Sequence, residues 1–333
     1  MMNKIMKEYS ARRLKVGSSD EAREALRGLN NEENNTGAMT CEDLPTKKSK
    51  HHAADKKKIV RRSKSYTDKD LSRYAKALRK TTTLEELNLG WNKITLLNKR
   101  FNQAISCNST LKKIYLIGNE IGDRGIAKFA DALKQNETLE VVGLSNNQIS
   151  DKGVASVADA LKTNRSIRKL YLSSNYIKAE GAKLLADALR VNASLQECWL
   201  NDNDISAQGA EAFADCLKVN QSLLQLHLWG NDVGDNGASF LASSLKFNRS
   251  LRMLCLSNNS IGNWGATSFS FALMVNQSIK ELLLFDNEIP DEGAERLAKA
   301  SVSNPSINNL DLSGNKISVD VLRVLESYDA IRV

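Results

Sequence analysis

Residues 84–333 switch repeatedly between two hydrophobic periods. Each unit opens on LxxLxL, as in "LKKIYL" (111–116), "LEVVGL" (139–144) and "IRKLYL" (167–172). Apolar positions two apart predict a short strand buried on one side. After Gly125, Gly153, Gly181, Gly209, Gly237, Gly265 and Gly293 the spacing becomes helical. Ile126, Phe129, Ala130 and Leu133 stand at i, i+3, i+4 and i+7, one apolar stripe. Val154, Val157, Ala158 and Leu161 repeat it, as do Ala182, Leu185, Ala186 and Leu189.

The units start at Leu84, Leu111, Leu139, Ile167, Leu195, Leu223, Leu251, Ile279 and Ile307, 28 residues apart after a first unit of 27. A fixed period predicts stacked strand–helix units sharing one continuous core, since one unit cannot cover its own apolar face.

Two asparagine series run on the same clock. Asn92, Asn119, Asn147, Asn175, Asn203, Asn231, Asn259, Asn287 and Asn315 follow the strands. A side chain that donates and accepts can satisfy turn backbone at each rung, so this series reads as a buried structural ladder. The second series (Asn108, Asn136, Asn164, Asn192, Asn220, Asn248, Asn276) matches the N-glycosylation pattern seven times. The N-terminus "MMNKIMKEYSARRLKV" has no apolar secretory core, and five cysteines without a CxxC pair fit reduced thiols. These asparagines therefore read as helix stops in the left-handed conformation. Asn304-Pro305-Ser306 keeps the position where Pro forbids glycosylation.

The consensus LxxLxLxxNxIxxxGAxxLAxALxxNxS resembles the ribonuclease-inhibitor-type leucine-rich repeat over about four-fifths of the chain. The resemblance implies an α/β horseshoe (solenoid) with a parallel inner sheet and outer helices. The type includes ribonuclease inhibitor, the sensor regions of nucleotide-binding immune receptors, the Ran GTPase activator, tropomodulin-type actin caps and axonemal subunits. Such breadth fixes architecture far more firmly than function.

Residues 67–83 read as an N-terminal capping helix and turn, with Leu71, Tyr74, Ala75 and Leu78 as its stripe. Residues 84–333 hold nine repeats, the last acting as C-terminal cap. Residues 1–66 lack the pattern and read as a disordered basic tail, helical only around 20–28, holding 16 Lys+Arg against 9 Asp+Glu. The remainder holds 31 against 30, so the basicity belongs to the tail. Lys47, Lys48, Lys50, Lys56, Lys57, Lys58, Arg61, Arg62 and Lys64 form a candidate nuclear-localisation run. A solvated linker explains the same run, and weak contact with nucleic acid would use it too.

No GxxxxGK[ST], HExxH, GxSxG or kinase signature occurs, so the nucleotide-binding (NACHT) half of an immune receptor is missing from this chain. No catalytic, metal or cofactor site is expected. No stretch is long and apolar enough to span a membrane. The expected setting is the cytoplasm, with the nucleus as second compartment, and the chain alone is expected to be a monomer.

Strand alternation puts Asn88, Tyr115, Gly143, Tyr171, Trp199, His227, Cys255, Leu283 and Asp311 on the concave face. Tyr171, Trp199, His227 and Trp229 should form an aromatic patch, with Tyr115 and Phe285 as outliers and Lys169, Glu197 and Asp202 at its edge. The first reading is a non-enzymatic scaffold gripping a protein partner there. Mutual packing of the rings is the alternative for the patch itself. For the whole chain, the alternatives are a GTPase activator resembling the Ran activator, or a cytoskeletal or axonemal subunit. Trp91 and Trp264 are expected to be local loop packing.

Overall fold

The computed structural model describes residues 57–333. Eleven short strands form one parallel sheet whose spatial order is the sequence order. They are β1 (Lys58–Val60), β2 (Glu86–Asn88), β3 (Lys113–Tyr115), β4 (Val141–Gly143), β5 (Lys169–Tyr171) and β6 (Glu197–Trp199), followed by β7 (Gln225–His227), β8 (Met253–Cys255), β9 (Glu281–Leu283), β10 (Asn309–Asp311) and β11 (Ile331–Arg332). The intervening helices are α1 (Leu71–Leu78), α2 (Lys99–Ser106), α3 (Gly122–Gln135), α4 (Asp151–Thr163) and α5 (Ala179–Val191), then α6 (Ser206–Leu217), α7 (Gly234–Leu245), α8 (Asn263–Leu273), α9 (Asp291–Val302) and α10 (Val319–Leu325). This is the expected α/β solenoid, and its stripes are buried as the periodicity requires. One continuous core runs from Leu71 to Ile331, with Phe101, Phe129, Phe213 and Phe269 fully enclosed.

The first asparagine series is the ladder its spacing predicts. Asn175 donates Nδ2 to the carbonyls of Leu144 and Leu172 at 3.1 and 2.8 Å, and Oδ1 accepts from the Asn147 and Ile149 amides, both at 3.0 Å. Each side chain thus ties its own turn to the preceding repeat.

The second series is a correction. Asn136, Asn164 and Asn192 end their helices with φ of −80°, −65° and −84°, in extended rather than left-handed backbone. Each reaches inward instead. Asn192 donates to the Leu161 and Asn164 carbonyls at 2.7 and 3.0 Å, while Oδ1 accepts from the Ser194 and Leu195 amides at 2.9 and 2.8 Å. The sequon-like positions form a second buried ladder. The left-handed position lies elsewhere, just before each first-ladder asparagine. Trp91, Gly118, Asn146, Ser174, Asp202, Gly230, Asn258, Asp286 and Gly314 all have φ between 51° and 69°.

The boundary at residue 66 also moves. β1 pairs in parallel with β2, Ile59 against Leu87, and Asn92 Nδ2 donates to the Arg61 carbonyl at 2.8 Å. Lys57 and Lys58 form ion pairs with Glu85 and Glu86 at 3.0 and 3.2 Å. Arg61 is buried, and the Lys64 amide donates to Asn92 Oδ1 at 2.9 Å. Part of the basic run is therefore the first strand and turn of the solenoid. Residues 1–56 carry 11 Lys+Arg against 9 Asp+Glu, so most of the net positive charge assigned to the tail belongs to residues 57–66. The remaining expected tail, including Lys47, Lys48, Lys50 and Lys56 and the short helix around 20–28, lies outside the described residues.

At the α1 entry the Asp70 carboxylate accepts from the Thr67 amide at 2.9 Å, one half of a capping box. At the far end β11 extends the sheet beyond the expected closing helix, pairing Ile331 with Leu310.

Candidate functional site

The sheet face opposite the helices carries the predicted row in unbroken register, Asn88, Tyr115, Gly143, Tyr171, Trp199, His227, Cys255, Leu283 and Asp311. Neighbouring rungs are about 4.8 Å apart, close enough for rings to touch. Tyr171 meets Trp199 edge-on, with centroids 5.5 Å apart and planes at 67°. Trp199 stacks on His227 at 3.8 Å and 18°. Tyr115 belongs with this group, because its ring fills the space above Gly143: a Cβ built there would sit 2.8 Å from Tyr115 Cδ1.

The patch divides after His227. Trp229 packs against a second apolar group of Cys255, Leu283 and Phe285. Phe285, expected as an outlier, is 8% exposed within this group. His227 is 4% exposed beneath the neighbouring indole, so its ring supports that indole from below. Its Nε2 lies 3.3 Å from Gln225 Oε1. Burial lowers its pKa to about 3, which leaves the imidazole neutral.

The charged edge is partly self-neutralised. Lys169 and Glu197 face each other in register and form an ion pair at 2.7 Å. Asp202 occupies a left-handed turn position, where a short polar side chain is the usual choice, and its carboxylate lies 3.5 Å from Ser174 Oγ. Trp91 covers Gly118 as local packing, but Trp264 lies in α8 and is exposed rather than packed in a loop.

Burial pushes the thiols of Cys198 and Cys216 up to about 12 and that of Cys255 up to about 11, so all three stay protonated. The Tyr115 phenol is pushed up to about 12 by burial and then by Glu86. Tyr171 is raised too, by burial, then by Glu197 and Tyr115. Among the described residues, no group of three or more His, Cys, Asp or Glu side chains could hold a metal ion. Among them also, no helix is long and apolar enough to cross a membrane.

A family model of the TMOD/LMOD leucine-rich domain matches residues 119–206, and a leucine-rich-repeat model matches residues 80–96, 107–130, 219–242 and 275–298. The chain is a leucine-rich-repeat protein. The first match includes both Tyr171 and Trp199. Comparison with curated proteins gives no match. Among solved structures, this leucine-rich-repeat protein is similar to leiomodin-1 actin-binding site 2. Identity there is 25%, covering 38% of this chain and 76% of that one, with a TM-score of 0.35.

Proposed function

We propose that the protein is a non-enzymatic scaffold that binds a protein partner on the helix-free face of its sheet, with Tyr171, Trp199 and Trp229 as anchors. The observation that carries this reading is the locked geometry of Tyr171 and Trp199 over a neutral, buried His227. Rings held in one orientation lose little entropy on binding, and such anchors dominate interface energetics.

The test is affinity capture by the full chain, wild type against Tyr171→Ala/Trp199→Ala/Trp229→Ala, with circular dichroism to establish that both are folded. Loss of a protein from the variant's catch is the expected result. An identical catch overturns the reading.

A cytoskeletal partner is the second reading, favoured by the TMOD/LMOD domain match over residues 119–206. Filamentous actin is the first partner to test, by co-sedimentation. Pelleting of the wild type, weakened about 30-fold or more in Tyr171→Ala/Trp199→Ala, supports it. Failure of the wild type to pellet removes actin and leaves the scaffold reading to the capture experiment.

A further inference from the structure

α7 and α8 differ from their neighbours in what they turn outward. Around them the exposed helix positions are charged and often paired, as in Lys134–Asp159, Lys218–Asp215 and Arg296–Glu292. α8, "NWGATSFSFAL", contains no charged residue. α7 contains only Asp235, whose carboxylate is engaged by the Gly262 and Gly265 amides at 2.8 and 2.7 Å. A helix without a charged face is ordinarily covered.

Here the outward side is largely apolar, with Lys246 as an exposed charge beside Phe247. Trp264 and Phe271 on α8 are 64% and 51% exposed, and Met274 and Val275 at its end are 62% and 52% exposed. Phe240 on α7 is 40% exposed, and Phe247 just beyond it 62%. Residues 264 and 271 share one face of α8, and Phe247 and Val275 stand in the turns that follow α7 and α8. The 28-residue repeat then sets Phe247 beside Val275, so the six form one patch. At about 150–250 Å² per ring, the four half-exposed aromatics alone present about 400 Å². A standard interface buries about 800 Å² per partner, a little over half of it apolar, so the patch is of interface size.

We propose that this patch is the contact surface of a homodimer, two copies meeting through α7 and α8. The occupant follows from composition. Interface centres are depleted in charge and rich in aromatic residues and Met, and homodimer interfaces are the more apolar class, at about 65% against less than about 60% for transient contacts with other proteins. A two-fold contact sets apolar centre on apolar centre. Both flanking rims carry mixed charge, Asp215 on α6 with Lys218 just past its end, and Glu292, Glu295, Arg296 and Lys299 on α9, so no rim of one sign meets its like. The sheet face stays open in such a pair, which makes this inference independent of the proposed binding function. It departs from the monomer expected on sequence alone.

Sedimentation equilibrium of the full chain over a range of concentrations tests it. The expected result is a wild-type mass of two chains and, for Phe240→Asp/Phe271→Asp, a dissociation constant raised about 30-fold or more. Because both side chains reach solvent, the variant's circular dichroism should match the wild type. Trp264→Lys/Met274→Lys serves as a second variant should the first fail to fold. A wild type that is monomeric at every concentration overturns the proposal. So does a dimer that persists in a folded variant, or a monomer that binds phosphatidylcholine/phosphatidylserine vesicles through the patch.

Discussion

Replacing Asn192 by Gly separates two accounts of the sequon-like asparagines. If these residues ended helices in the left-handed conformation, glycine would serve as well or better, and stability would hold or rise. As a ladder rung, Asn192 is 2% exposed and makes four bonds to backbone. With glycine in its place, the Ser194 and Leu195 amides lose their acceptor inside the protein. Two buried N–H groups orphaned at about 1–2 kcal/mol each amount to about 3 kcal/mol. The two carbonyls lose less, because Arg165 Nη1 also donates to Leu161 and Asn164, at 3.3 and 3.0 Å. The added flexibility of glycine in the unfolded chain contributes up to about 1 kcal/mol more. Asn192→Gly should therefore lower the urea unfolding free energy by about 3–4 kcal/mol. Unchanged or increased stability would refute the ladder account, whatever the distances suggest.

Two further outcomes follow from buried groups. His227 titrates at about 3 in the folded chain against its ordinary 6.5, so the unfolded state takes up a proton that the folded state refuses. Its contribution is complete above pH 6.5 and declines as pH falls toward 3, reaching a loss of about 2 kcal/mol at pH 5. His227→Phe, which keeps a ring against Trp199, should show a smaller drop in urea midpoint between pH 7 and pH 5; equal drops would mean the imidazole is not held neutral. Gly125→Ala should cost about 2–3 kcal/mol in the same assay, because the new methyl overlaps the Thr95 carbonyl oxygen, which cannot swing away as a side-chain end could. A neutral result would show that the α3 entry is looser than its packing indicates.

What the period could and could not reveal has a physical basis. Repeated Leu, Gly and Asn report the needs of each unit in its own frame, so strands, helices and the first ladder were legible. β1 escaped because Arg61 stands where later strands carry Leu89 or Leu116, and Lys64 where they carry Asn92 or Asn119. The unit is completed by pairing to β2 and by Asn92 Nδ2, both supplied from the next repeat. The row of face residues was legible because alternation fixes direction. Burial along that row was not, since it depends on how each ring leans toward its neighbours. His227 disappears under Trp199, Tyr115 spreads over Gly143, and Trp229 turns toward Phe285. The exposed side of α8 was hidden by the same logic, for an apolar residue off the stripe leaves no mark on the period.

A third series shows how much conformational choice a constant period can hold. Position 123 recurs as Asp123, Asp151, Ala179, Ala207, Asp235, Asn263 and Asp291. Where it is aspartate, its carboxylate accepts the amide that opens the next helix, from Ser150, Lys178, Gly262 and Ser318 at 2.6–2.8 Å. Those residues are extended, with φ between −69° and −106°. After Ala179 and Ala207 no carboxylate is offered. Ser206 and Gly234 then turn left-handed, at 61° and 59°, and donate to the Asn231 and Asn259 carbonyls at 2.9 and 2.8 Å. Gly122, preceded at that position by Leu96, follows the second course, at 56° and 2.8 Å to Asn147. Before Pro290 the acceptor has become Asn263, and Pro290 has no N–H to give. An obligatory backbone donor finds a partner by one route or the other, and one side chain in the preceding repeat decides which. Neighbouring repeats thus set each other's helix entries, so a substitution in this series should be read in the following unit, not its own.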